Sequence, residues 1–150
     1  VEDYAHHPTE IAATLDAISH FGAKRIVAIF QPHLYSRTKF FTKEFAQSLL
    51  PASKLLVTEI YKAREEPMPG VSGLNIVKAA RELGHADAEF LEDKWSVPDV
   101  IESELARGDV VLVLGAGDIW KVADQIAHRV NERFGSSSGD DGSKTTRPPG

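Results

Sequence analysis

Three short runs of the chain are apolar almost without interruption: Arg25–Phe30 (RIVAIF), Lys54–Thr58 (KLLVT) and Val110–Leu114 (VVLVL). Strands covered on both faces have this near-continuous pattern. Ala88–Leu91 (AEFL) is a weaker fourth strand, and residues 1–4 read as the end of another. Between the runs the apolar positions take up a helical period. Ile11, Leu15 and Ile18 form one stripe, Phe41, Phe45 and Leu49 a second, and Ile76, Ala80 and Leu83 a third. Val100, Ile101 and Leu105 form a fourth, and Ile119, Val122, Ile126 and Val130 a fifth. Pro8 suits a first helical turn, where its missing N–H costs nothing. Ser72 is placed to cap the third helix, and Ser96 with Asp99 resembles a capping box for the fourth. Strand and helix alternate, which predicts an α/β domain: a Rossmann-like, open, mostly parallel sheet with helices on both faces.

Composition narrows the picture. The 150 residues fit one domain, and a 42% apolar share is enough for a core. The net charge of −5 gives a field that repels phosphate backbones, so no nucleic-acid partner is expected. There are no cysteines, which removes disulfides, thiolate metal sites and cysteine nucleophiles. No apolar run approaches the roughly 20 residues of a membrane span, and no membrane partner is expected. Residues 135–150 contain only Gly, Ser, Thr, Pro and charged residues, and are expected to be a disordered polar tail after a domain of residues 1–134. The chain opens on Val-Glu-Asp without an initiator methionine, as a piece of something longer would.

The candidate chemistry lies where strands hand over to helices, at the carboxyl edge of such a sheet, where ligands bind. DYAHHPTE (Asp3–Glu10) sets Asp3, Tyr4, His6 and His7 before a helix N-terminus. Adjacent histidines point in different directions and lack the i, i+4 spacing of helical metal sites, so ligand hydrogen bonding or capping is expected and no metal. FQPHLYSRT (Phe30–Thr38) carries Gln31, His33, Tyr35, Ser36 and Arg37. Arg37 suits a carboxylate or phosphate because its fork bonds two oxygens. The structural alternative pairs Arg37 with a local acid and leaves Thr38 to cap the next helix. GAGDI (Gly115–Ile119) sits where a phosphate-binding turn would, but Trp120 replaces the third glycine of GxGxxG. A tight turn with Asp118 as helix cap is the alternative. The loop Glu59–Gly73 (EIYKAREEPMPGVSG) is unusually long, and its Pro67, Pro69 and Gly70 argue for order. His20, His85 and His128 read as solvated.

Taken in order and spacing, DYAHHPTEI, FQPHLYSRT, EIYKAREEPMPGVSG and GDVVLVLGAGDI resemble the C-terminal domain of the Mur ligases, of the UDP-N-acetylmuramate–L-alanine ligase type, over about residues 1–134. The resemblance implies a cytoplasmic bacterial enzyme of peptidoglycan synthesis. Its partners would be L-alanine, ATP and UDP-N-acetylmuramate, with Mg2+ and ATP held mainly by a central domain absent from this chain. An N-terminal domain, also absent, would hold the UDP-sugar. ATP would phosphorylate the sugar-linked carboxylate, and the amine of L-alanine would displace phosphate. The C-terminal domain would close over ATP, with Asp3 approaching the ribose and Tyr4, His6 and His7 lining the reaction centre. His33 and Arg37 would stand beside the alanine carboxylate, and Glu59, Tyr61 and Asp118 would face the incoming amino acid. A murein peptide ligase of cell-wall recycling, a stand-alone nucleotide-binding module and a purely interacting module are the alternatives.

The sequence departs from the family pattern twice. Leu34 stands where the family usually has Arg, and Arg64 where it usually has Gly. The chain also contains no GxxxxGK[ST] string, so it has no loop of its own to cradle a triphosphate, and this part alone is expected to be inactive.

Overall fold

The computed structural model describes residues 2–3 and 6–134, with the side chains of residues 6–133. In chain order the elements are β1 (Glu2–Asp3), α1 (Pro8–Ser19), β2 (Arg25–Phe30), α2 (Tyr35–Leu49), β3 (Lys54–Thr58) and α3 (Gly73–Glu82). Then come β4 (Ala88–Leu91), a 3-10 turn (Lys94–Ser96), α4 (Val97–Glu104), β5 (Asp109–Leu114) and α5 (Trp120–Phe134). The five strands form one sheet in the order β1-β5-β2-β3-β4, and every pairing is parallel. Tyr4 and residues 135–150, including the expected tail, lie outside the described residues.

The near-continuous apolar runs are explained by two cores, one on each face. Side chains alternate across a strand, so Ile26, Ala28 and Phe30 face one way and Val27 and Ile29 the other. The first set packs with Leu55, Val57, Leu112 and Leu114 against Ile11 and Leu15 of α1, Phe45 and Leu49 of α2, and Ile76 and Val77 of α3. The second set packs with Leu56 and Val113 against Val97 and Ile101 of α4, Ile119 just ahead of α5, and Val122 and Ile126 of α5. Phe30 lies level with both Val57 and Leu114, so β2, β3 and β5 end on a common rim. The chain leaves β2 toward α2 on one face and β5 toward α5 on the other. That divergence opens a crevice between neighbouring strands, the topological switch point of such sheets.

The opposite, amino edge is tied by charge. Lys54, 4% exposed, is 3.1 Å from Asp87 and 3.0 Å from Glu104, and Arg25 is 2.8 Å from Asp109. Burial alone would lower the Lys54 ammonium; its hydrogen bonds to Glu104 and Asp87 outweigh that and raise it.

Several local expectations need correction. Thr38 does not cap α2: the helix starts at Tyr35, and the Thr38 hydroxyl donates back to the Leu34 carbonyl at 2.8 Å. With Thr42 donating to the Thr38 carbonyl in the same way, α2 bends, and Phe41 leaves helical geometry (φ −110°, ψ 19°). Ser96 makes no capping bond to α4. Asp93 instead caps the 3-10 turn through the Trp95 N–H at 3.0 Å, and Asp99 pairs with Arg129. Leu83 is 47% exposed because α3 ends at Glu82, one residue short of it. His85 is not a solvated residue: its Nε2 lies 2.7 Å from the Ala52 carbonyl, and its Nδ1 accepts the Asp87 N–H at 3.1 Å. Ser72 caps α3 as its sequence suggests, accepting the Leu74 N–H at 3.1 Å.

Candidate functional site

The segments after β1, β2, β3, β4 and β5 all reach the carboxyl rim, and the one after β3 joins its neighbours directly. Tyr61 is the hub. Its N–H donates to the Pro32 carbonyl at 2.8 Å, and its carbonyl accepts the Leu34 N–H at 2.9 Å. The two segments therefore extend the parallel sheet by one bridge, His33 with Tyr61. The Tyr61 ring stacks on the His33 ring at 5.6 Å between centroids and 20° between planes. Gly117 also lies against the Tyr61 ring, where an added Cβ would come within 2.5 Å. Side chains from the β2 and β3 segments and the backbone of the β5 turn are thus in mutual contact.

Arg37 sits one helical turn from His33, with Nη1 3.4 Å from His33 Nδ1. A guanidinium has no acceptor, so Nδ1 of His33 is the lone-pair nitrogen and Nε2 carries the hydrogen. Burial, then the charges of Arg37 and His6, lower the His33 imidazole below its ordinary value, with Glu65 opposing. Among the described residues no carboxylate pairs with Arg37. The local-acid alternative for Arg37 therefore finds no support among the described residues.

Leu34, beside this pair, has φ 71° and ψ 135°, a conformation L side chains rarely adopt. It is held there by its own N–H on Tyr61 and by the Thr38 N–H on its carbonyl at 3.1 Å. Ser36 gives its N–H and hydroxyl to Glu65, so the long loop after β3 caps the start of α2. Sequence reasoning missed Glu65; no local spacing could reveal a cap supplied 29 residues away.

Glu59 is committed to structure. Its Oε1 accepts the Ile60 N–H at 2.9 Å and the Gly73 N–H at 3.1 Å, and its Oε2 accepts the Ser72 hydroxyl at 3.1 Å. It closes the long loop onto the N-terminus of α3, where the helix dipole also favours its charge. That loop is tied down at Glu65, which takes the Ser36 N–H, and at Glu59.

Before α1, His7 Nδ1 accepts the Thr9 N–H at 3.2 Å, which is the capping alternative for this histidine, and its ring meets Phe41 edge-on at 5.1 Å. His6 lies 3.8 Å from Glu10 and also acts on His33. The side chain of Asp3 lies outside the described residues, although its backbone pairs with Leu114 of β5 and so reaches the same rim.

Asp118 closes the crevice. Its Oδ1 accepts Gln31 Nε2 at 3.1 Å, and both its oxygens lie 2.8 Å from Lys94 Nζ. Burial alone would raise the Asp118 carboxyl; hydrogen bonds from Lys94 and Gln31 outweigh it and hold the group below its ordinary value. Gln31 is 2% exposed, and among the described residues its Oε1 has no hydrogen-bond partner. Gly115 and Gly117 serve close approach: a Cβ at Gly115 would meet Ile119 at 2.8 Å, and one at Gly117 would meet Gln31 Oε1 at 2.8 Å. Lys94 is the second residue that sequence reasoning missed. Its one signal was position: like the other rim residues, it follows a strand.

Comparison with known proteins agrees with this architecture. The family described as Mur ligase, glutamate ligase domain, matches residues 1–117. The UDP-N-acetylmuramate–L-alanine ligase of Salinibacter ruber is 44% identical over 138 residues, 91% of this chain and 29% of that protein. The crystal structure of the UDP-N-acetylmuramate–alanine ligase MurC of Thermotoga maritima superposes with a TM-score of 0.67 at 31% identity, covering 90% of this chain and 26% of that one. A murein peptide ligase from Psychrobacter arcticus shares the fold, with a TM-score of 0.67 at 22% identity over 85% of this chain and 26% of that one. The chain thus spans less than a third of the length of the Salinibacter and Thermotoga ligases.

Proposed function

The chain belongs to the Mur ligase, glutamate ligase domain family, and from that premise we propose that it is the amino-acid-side domain of an ATP-dependent ligase joining L-alanine to UDP-N-acetylmuramate. In this reading the sugar-linked carboxylate is activated as an acyl phosphate by ATP. The amine of L-alanine forms the new amide bond, loses a proton, and inorganic phosphate leaves. The 44% identity of the Salinibacter ligase over 91% of the chain favours this reading over murein peptide ligation.

The residues here do not fit a triphosphate or its metal. No GxxxxGK[ST] loop is present, and among the described residues no group of three His, Asp or Glu could hold an ion. The proposal therefore gives ATP and Mg2+ to the rest of the parent protein and assigns no step of phosphate activation to this chain. What this chain supplies is the handle for the amino acid. The observation that carries it is Arg37, part-buried on the rim, oriented by neutral His33 and paired with no carboxylate among the described residues. Keeping His33 neutral leaves Arg37 free of a second positive charge beside it, and Tyr61 fixes the ring that fixes Arg37.

The test uses the full-length protein, assayed for alanine-dependent phosphate release. A lost ionic hydrogen bond is worth about 1.5–3 kcal/mol, so Arg37→Ala should raise the alanine KM roughly 10- to 100-fold. The ATP KM should stay unchanged, because the clamp acts on the other substrate. Arg37→Lys should restore part of the loss, since an ammonium cannot form the planar fork. An unchanged alanine KM together with a lowered melting temperature would make Arg37 structural and remove it from the site.

A further inference from the structure

We propose that Lys94 is a positioning residue for the amino-acid rim, an inference that rests on the reading of this edge as the receiver of an amino acid. Lys94 belongs to the 3-10 turn after β4, and in the sheet β4 is separated from β5 by two strands. It still reaches Asp118 because α4 and α5 share one core: Val97 and Ile101 pack with Ile119, Val122 and Ile126. That packing lays α4 along α5, with Asp99 in the first turn of α4 paired to Arg129, and the turn ahead of α4 meets the turn ahead of α5 through Lys94 and Asp118. Asp93, capping the 3-10 turn, fixes the backbone from which Lys94 projects.

The contact has two consequences. The first is mechanical. Asp118 follows directly on Gly117, whose α-carbon is packed against the Tyr61 ring and Gln31 Oε1. Lys94 holds the Asp118 carboxylate by both oxygens at 2.8 Å, and Gln31 holds its Oδ1 at 3.1 Å. The turn of residues 115–118 is therefore pinned between a buried glutamine and a lysine from a different loop. Since Tyr61 stacks on His33 and His33 meets Arg37, the position of the turn is passed on to the guanidinium. The second consequence is electrostatic. An uncompensated Asp118 carboxylate on this edge would repel an incoming carboxylate. Lys94 cancels that charge where it arises.

The experiment compares Lys94→Met and Lys94→Arg in the full-length protein. The Lys94 side chain is 23% exposed on a surface turn, so Met, of similar length, leaves both cores intact. Two readouts are taken. In hydrogen exchange, Lys94→Met should speed the amides of residues 115–119 by roughly tenfold or more, the scale of one lost ionic hydrogen bond. The amides of β2 should be unaffected. In steady-state kinetics the same variant should raise the alanine KM roughly tenfold while the ATP KM stays within about twofold. Lys94→Arg, which keeps the charge and reach, should return both readouts toward wild type. Wild-type exchange at 115–119 in Lys94→Met would overturn the inference, as would an unchanged alanine KM. If the wild-type protein itself shows no alanine-dependent phosphate release, the proposed function falls. The exchange measurement then still decides whether Lys94 pins the turn.

Discussion

Replacing Gly117 with alanine adds one methyl group at the point where the rim is most crowded. The new Cβ would lie 2.5 Å from Tyr61 Cγ, 2.8 Å from Tyr61 Cδ1 and 2.8 Å from Gln31 Oε1. Neither neighbour is the loose end of a surface chain. The Tyr61 ring is stacked on His33 and its backbone is bonded on both sides, while Gln31 is buried and held by Asp118. Something must shift, and overpacking of this kind costs about 1–3 kcal/mol. Alanine also narrows the unfolded ensemble, which returns about 0.4–1 kcal/mol. The expected net loss is therefore on the order of 1–2 kcal/mol, measured as a lower urea midpoint at unchanged m-value. Pushing Tyr61 also pushes His33, so the full-length Gly117→Ala protein should show a raised alanine KM. Gly84→Ala is the control. Its φ of +100° puts the strain in the backbone with nothing within 4 Å of the added methyl. It should cost about 1–2 kcal/mol of stability, the price of a left-handed alanine, with the alanine KM unchanged. A Gly117→Ala protein as stable as wild type with a normal alanine KM would refute this account of the rim.

Glu59→Ala keeps the Ser72 cap of α3 but leaves the Ile60 and Gly73 N–H groups without their carboxylate, so it should lower stability by about 1–3 kcal/mol in thermal melts. A raised alanine KM at unchanged stability would instead return Glu59 to the amino-acid site. The imidazole of His33 is held below its ordinary value of 6.5, so the fold disfavours the proton that the unfolded chain accepts. Its contribution is present above 6.5 and is lost as pH falls through the depressed value. Stability followed downward from pH 7.5 should therefore decline through this window in wild type and decline less in His33→Gln; parallel curves would exclude His33 as the group responsible.

The five strands and five helices were legible because their signal is local. A strand between two helical layers must be apolar on both sides, and Arg25–Phe30, Lys54–Thr58 and Ala88–Leu91 have the bounds their runs indicated. The carboxyl rim was legible too, since each ligand-competent string follows a strand and parallel strands end together. Cap assignments fared worse. Thr38 and Ser96 have the right residue types, but Thr38 lies inside α2, which the β3 loop caps, and Ser96, although it directly precedes α4, continues the 3-10 turn that Asp93 caps and so makes no capping bond.

What the sequence determined by itself was the alternation of elements, the rim and the residues offered to it, because hydrophobic period and chain order need no knowledge of distant partners. What the tertiary structure decided was the office of each rim residue. Glu59 and Asp118 are both acids placed after strands, and no local pattern separates them. One is drawn into capping a helix thirteen residues on, and the other into an ion pair with a lysine twenty-four residues back. Those partners meet only when the sheet order places β5 beside β2 and the packing of α4 on α5 carries Lys94 across to Asp118. A charged side chain takes its role from the nearest opposite charge or hydrogen-bond donor in space, and distance in space is set by the fold.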